Sequence, residues 1–251
     1  MLMEENMQSH IQMPRCVLAE FVNGNKSFYK YNVENGKINI GFPKRTFTSE
    51  NYYSEAMESA LNKHIESPLR TLLDFARILP TLTLPITLED KVITLARTYI
   101  ESLVARSPIL FSSVNEESDL LGLFSIQDRH DIVVDYAMKN EKMRKFYDRF
   151  TLSFMVNETN TPFVLPTRGL YEFQYMGTLC LNAPLNPRCA LMLEENNPSK
   201  NAESKIAVIP KTFDDILMKI NGYALQRQRQ DNVGYVVCYD KSILEQLVKS
   251  E

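Results

Sequence analysis

Residues 54–79 read SEAMESALNKHIESPLRTLLDFARIL, and the period of this stretch decides the fold class. Apolar side chains recur at Met57, Leu61, Ile65, Leu69, Leu72, Leu73, Ala76 and Leu79, the three-to-four spacing that lines one face of a helix. Pro68 falls inside the run. It lacks an amide hydrogen and its ring crowds the preceding turn, so it should kink the helix or begin a second one. Pro80 and Pro85 close the segment.

The same period continues towards the C-terminus. Thr87-x-x-Asp90 resembles a capping box, and the helix it would open carries Val92, Ile93, Ala96, Tyr99, Ile100, Leu103 and Val104 along one face, with Pro108 beyond its end. Ser125-x-x-Asp128 opens a third helix, with a stripe of Ile132, Val133, Tyr136, Ala137, Met143, Phe146, Tyr147 and Phe150. Three apolar stripes bury most simply against one another, so residues from about 50 to 150 are expected to form a helical layer.

Both flanks have the shorter period of strands. Towards the N-terminus, Cys16 to Val22 is an apolar run read as strand, ending at Asn23-Gly24. Tyr29, Tyr31 and Val33 share one face of the next strand, Ile38 and Ile40 one face of its partner, and Asn35-Gly36 between them signals a hairpin. Towards the C-terminus, Leu152 to Val156, Phe163 to Leu165, Leu179 to Leu181, Cys189 to Leu193 and Tyr235 to Tyr239 read as strands. Glu194 to Ser204 reads as a solvated loop, Thr212-x-x-Asp215 opens a long helix, and Ser242 to Val248 forms a last one. The expectation is an α+β fold: a helical layer packed on antiparallel β elements from both ends of the chain. No linker separates parts, so residues 1–251 are expected to form one domain with sub-regions 10–48, 50–150 and 151–251.

The 251 residues are 44% hydrophobic and 24% charged, enough apolar side chain for a sizeable core. A net charge of −3 excludes a global positive field that would draw the chain to nucleic acid or an anionic membrane. The opening Met1-Leu2-Met3-Glu4-Glu5 has neither the positive nor the apolar region of a secretory signal, and no apolar run reaches membrane-spanning length. Four separated cysteines, Cys16, Cys180, Cys189 and Cys238, read as buried free thiols, which makes the cytosol the expected compartment.

Familiar catalytic motifs are absent. The three histidines, His10, His64 and His130, have no partner at metal-ligand spacing, and the eight glycines form no phosphate-cradling loop. No metal or cofactor is expected. Chemistry, if any, would centre on His10, at the mouth of the first strand, working with Glu58 and Glu66 on the first helix. Arg227 and Arg229, alternating with glutamines near the end of the long helix, are candidates for contacting phosphate or another anion.

Several segments taken in order resemble a family of unknown function found largely in bacteria. His10-x-x-x-Pro14-x-x-x-Leu18-x-x-Phe21 is similar to its opening His-His-x-x-Pro-x-x-x-Leu-x-x-Phe signature. Tyr29-x-Tyr31, the Tyr52-Tyr53-Ser54…Glu58…Ile65-Glu66 helix, Pro184-Leu185-Asn186-Pro187-Arg188 and Ile220-Asn221 also match in order. Here Ile11 stands at the second histidine position, and Pro166-Thr167-Arg168 stands where the family tends to carry an acidic residue. What the resemblance carries over is therefore limited to His10, Glu66 and Arg188 as site positions.

Two functions are weighed. One is a non-catalytic binding or inhibitory protein with a protein partner, set, through the bacterial resemblance, in phage–host conflict as defence or counter-defence. The other is a hydrolase acting on nucleic acid or nucleotides through His10, Glu58 and Glu66. The absence of enzyme motifs favours the first, and a membrane partner is not expected.

Overall fold

The computed structural model describes residues 8–10 (as backbone), 13–50, 52–83, 86–107, 124–142, 145, 148–175, 177–196, 205–232 and 234–250. The helical stretch forms as its spacing dictates. Helix α2 (Glu55–Leu61) starts at Ser54, whose side-chain oxygen accepts the Met57 amide at 3.1 Å. Helix α3 (Ser67–Ile78) follows, burying Leu69, Leu72, Leu73 and Ala76. Between them Asn62–Glu66 is a π-turn, with the Ser67 amide reaching back to the Asn62 carbonyl. Pro68 explains the irregularity: it has no amide to give, so the ladder widens there rather than breaking.

Helix α4 (Asp90–Ala105) buries Ala96, Tyr99, Ile100 and Leu103 as expected, but its start is preceded by Glu89 with no side-chain cap, so Thr87 does not serve. Helix α5 (Ile126–Lys139) is capped by Ser125, which accepts the Asp128 amide. Its buried face is His130, Val133, Val134 and Ala137, while Ile132 and Tyr136 are 40% and 62% exposed. The expected stripe was turned towards solvent at those two positions. Met143, Phe146 and Tyr147, also assigned to it, lie outside the described residues.

The Cys16–Val22 run is not a strand. Arg15–Leu18 is a helical turn, α1, continued by a 3-10 turn at Ala19–Phe21. The Pro14 carbonyl accepts the Val17 and Leu18 amides, and Met13, Val17, Leu18 and Phe21 are all 0% exposed. The N-terminal strand is instead β1 (Gln8–His10), antiparallel to β4 (Thr48–Glu50).

Strands from both ends of the chain share a sheet. β2 (Phe28–Asn32) pairs with β3 (Ile38–Gly41), bringing Tyr29 opposite Ile40 and Tyr31 opposite Ile38. On its other side β2 pairs with β11 (Tyr235–Cys238), and β11 with β6 (Leu165–Pro166). In the β2–β3 loop only Gly36 takes positive φ (66°); Asn32 Oδ1 accepts the Glu34 and Asn35 amides, which makes a longer loop than a two-residue primed turn.

The second sheet has the order β10-β5-β9-β8-β7. It comprises β5 (Phe150–Asn157), β7 (Tyr171–Tyr175), β8 (Thr178–Asn186), β9 (Cys189–Glu195) and β10 (Lys205–Ile209). All pairs are antiparallel except β10 with β5. β7 and β10 were not anticipated. One face of this sheet, with Phe154, Ala183 and Leu191, shares a core with α1, α3 and α4. The other, with Met155, Cys180 and Ala190, packs with Leu217, Ile220 and Ala224 of helix α6 (Asp214–Asp231) and with helix α7 (Lys241–Lys249). The inner strands β5, β9 and β8 are covered on both faces and are largely buried, whereas the edge strand β7 alternates buried and exposed residues. α6 begins at Asp214, not at a Thr212 cap; Asp214 Oδ1 instead accepts the Thr161 amide at 2.9 Å.

Candidate functional site

Two places near the C-terminal end of α4 combine charged side chains with a cavity. The first is buried. Arg106, the residue after the last turn of α4, has a fully buried side chain, and its Nη1 lies 3.5 Å from Glu66 Oε1 at the end of the π-turn. Its Nε and Nη2 have no hydrogen-bond partner among the described residues. Around it stand Cys16, Tyr53 and Tyr99: burial pushes the Cys16 thiol up to about 11, with Glu66 adding to the rise, and raises both phenols. Glu58 lies near enough to Tyr53 to contribute. The adjoining pocket, walled by Tyr52, Tyr53, Arg106, His130 and Val134, measures about 10 Å³. That is room for a single water-sized occupant.

The second place is an open cleft of about 240 Å³. Leu103 and Val104 of α4, Leu170, and Leu179 and Leu181 of β8 supply apolar walls; Arg168, Arg227, Glu172, Tyr171 and Ser107 supply the polar ones. Arg168 Nη1 lies 3.0 Å from Asp231 Oδ2, and Arg227 Nη1 lies 2.8 Å from Glu172 Oε1. Arg227 Nε is 3.9 Å from Asp231 Oδ1, so one carboxylate, only 9% exposed, stands between the two arginines. Gly169 lets the turn that carries Arg168 pack closely on α4: it sits at φ 67°, and a Cβ there would lie 2.2 Å from Met13 Cε and 2.8 Å from Leu103 Cδ2.

The expected site residues divide between these places and elsewhere. His10 has its backbone in β1, opposite Thr48, and its side chain lies outside the described atoms. Glu66 belongs to the buried centre through Arg106, and Glu58 reaches its edge through Tyr53. Arg227 lines the cleft. Arg229 does not: its guanidinium lies 5.7 Å from the Tyr31 ring centroid and ties α6 to β2. Arg188 sits in the β8–β9 turn, where Asn186 Oδ1 accepts its amide and its guanidinium donates to the Thr159 carbonyl. Arg106, Arg168 and Tyr171 were missed as site residues; only Arg106 had a readable signal, a cation at the end of an amphipathic helix.

All four cysteines are free, and burial raises the pKa of each. Among the described residues no group of three or more His, Cys, Asp or Glu side chains is arranged to hold a metal ion. Nor is any helix of the described residues long and apolar enough to cross a membrane. Comparison with protein-family models, with curated proteins and with solved structures finds no match to this chain.

Proposed function

We propose that this chain is a non-catalytic binding protein and that the cleft between α4, β7–β8 and the end of α6 is where it binds. The observation that carries this reading is the composition of the cleft wall: an apolar lining with two arginines at one side, held by Asp231 from behind. This is how a recognition pocket is built, with many apolar contacts and a few placed polar groups. Among the described residues its lining holds no histidine, cysteine or lysine to pair with its one carboxylate, Glu172, as nucleophilic or acid–base catalysis needs. The proposed role is inhibitory, towards a protein partner in the cytosol, with phage–host conflict as its setting.

The hydrolase reading keeps one favourable feature, the approach of Glu66 to a buried cation. Against it stand the size of that pocket and the engagement of Glu66 by Arg106.

The test is to purify the full chain and a Leu179→Trp variant, in which the larger ring fills the cleft, and to compare both by native mass spectrometry. A retained ligand mass on the wild-type chain that is lost from a folded Leu179→Trp variant supports the reading. A ligand retained equally by both, or none on either after incubation with cell extract, refutes it.

A further inference from the structure

We infer that the cleft accepts a small monocarboxylic acid with an apolar body; this rests on the cleft being the binding site. Three charged residues line it, Arg168, Arg227 and Glu172, and with Asp231 behind the arginines the cluster holds two positive and two negative charges. Asp231 is not part of the lining: its side chain, 9% exposed, lies between the arginines, 3.0 Å from Arg168 Nη1 and 3.9 Å from Arg227 Nε. A carboxylate placed so holds guanidinium groups in position while leaving their outer N–H groups to a ligand.

The partner that gives way is Glu172. It lies on the edge strand β7, its side chain is 50% exposed, and it meets an arginine that is itself 32% exposed. An ion pair this exposed is worth little, so a ligand carboxylate brought in by apolar contact competes with it for Arg227 Nη1. Once Glu172 gives way, the two arginines face Asp231 alone, so a single ligand charge restores neutrality where a phosphate dianion would overshoot it.

The apolar part of the lining sets the rest of the molecule. Leu103, Val104, Leu179 and Leu181 present no hydrogen-bonding side-chain atoms, so the body of the ligand must be apolar. The volume of about 240 Å³ lies below the roughly 300–1,000 Å³ of pockets for drug-sized molecules, which restricts the ligand to a medium-chain or single-ring acid.

Isothermal titration of the full chain with octanoate, octanamide and octyl phosphate separates the alternatives. Octanoate is expected to bind saturably and at least about tenfold more tightly than octanamide, which has the same body without the charge. Arg227→Gln is expected to weaken octanoate about tenfold and Arg227→Lys less, each at unchanged helix content and melting temperature. Leu179→Trp blocks binding sterically and covers the case in which the arginine variants fold poorly.

Equal binding of octanoate and octanamide, or an unchanged affinity in folded Arg227→Gln, overturns the assignment to a carboxylic acid. Tighter binding of octyl phosphate overturns it in favour of a phosphate monoester. If none of the three binds while a co-purifying ligand is still lost from Leu179→Trp, the ligand class is wrong and the cleft stands as a binding site. If that ligand is absent as well, both readings fall.

Discussion

At the scale of single residues, Glu66 separates a structural from a catalytic account of the buried centre. Arg106 is fully enclosed, Glu66 is the only carboxylate shown within ion-pair distance of it among the described residues, and Glu66 itself is 26% exposed. Removing one member of such a pair leaves a buried guanidinium without its counter-charge. Glu66→Gln should therefore destabilise the fold by on the order of 3 kcal/mol, read from the urea midpoint at constant m-value. A hydrolase using Glu66 as its base predicts another outcome: stability kept or improved, because active-site carboxylates are held at a cost to the fold. An unchanged or higher midpoint would favour that account and sink the structural one.

At the scale of elements, α5 latches the turn that starts α2. His130 stacks on Tyr52 with ring centroids 3.6 Å apart, and its Nδ1 lies 3.0 Å from the Tyr52 carbonyl. Gln127 Nε2 donates to the Tyr53 carbonyl and Asp131 Oδ1 accepts the Ser54 amide. Burial lowers the His130 pKa; the carbonyl bond and Asp131 oppose this, and Arg129 assists it. Because the folded state prefers the neutral ring, the unfolded chain takes up the proton first. The latch is at full strength above the unfolded value of about 6.5 and weakens as pH falls through it towards the lower folded value. Against a His130→Asn variant, the stability advantage of the wild-type chain should thus be largest near pH 8 and shrink by pH 5. An advantage constant over that range would show that His130 takes up its proton as readily in the folded chain as in the unfolded one, and that the latch acts by packing alone.

The elements also show what the sequence made legible. The 54–79 stripe was readable because its helices bury one broad face against neighbours, so period and burial agree. The α1 run was misread on composition: valine, cysteine and phenylalanine favour strands. Yet Pro14, Leu18 and Phe21 stand at helical spacing, and the two fully buried apolar residues of that set show the helix. In α5 the apolar residues are spread around the helix, so period alone did not say which face turns inward. The cleft was out of reach for a different reason. It joins Val104, Arg168, Leu179 and Arg227, which are distant in sequence and meet only once β7, α4 and α6 are packed. Arg227 was named on grounds of helix polarity and Arg229 on the same grounds, but the turn of the helix separates their fates.

At the scale of the whole molecule, the pairings argue against independent halves. β2, from the first fifty residues, lies beside β11, from the last twenty, with Tyr31 opposite Val236. Phe154 on β5 meets Phe75 of α3 edge-on at 5.3 Å, joining the five-stranded sheet to the helical layer. Phe154 is 0% exposed, and replacing it with alanine opens a cavity at that joint worth about 3–5 kcal/mol. This is a large share of the roughly 5–15 kcal/mol that holds a typical domain folded. If residues 1–251 fold as one unit, the loss is felt everywhere. Hydrogen exchange read by mass spectrometry should then show α3, α4 and the β2–β11 pair losing protection together in Phe154→Ala, at a common lower denaturant concentration. Early exchange in α3 and α4, with β2 and β11 still protected at wild-type levels, would mean that the helical layer unfolds separately and that the chain holds two cooperative units.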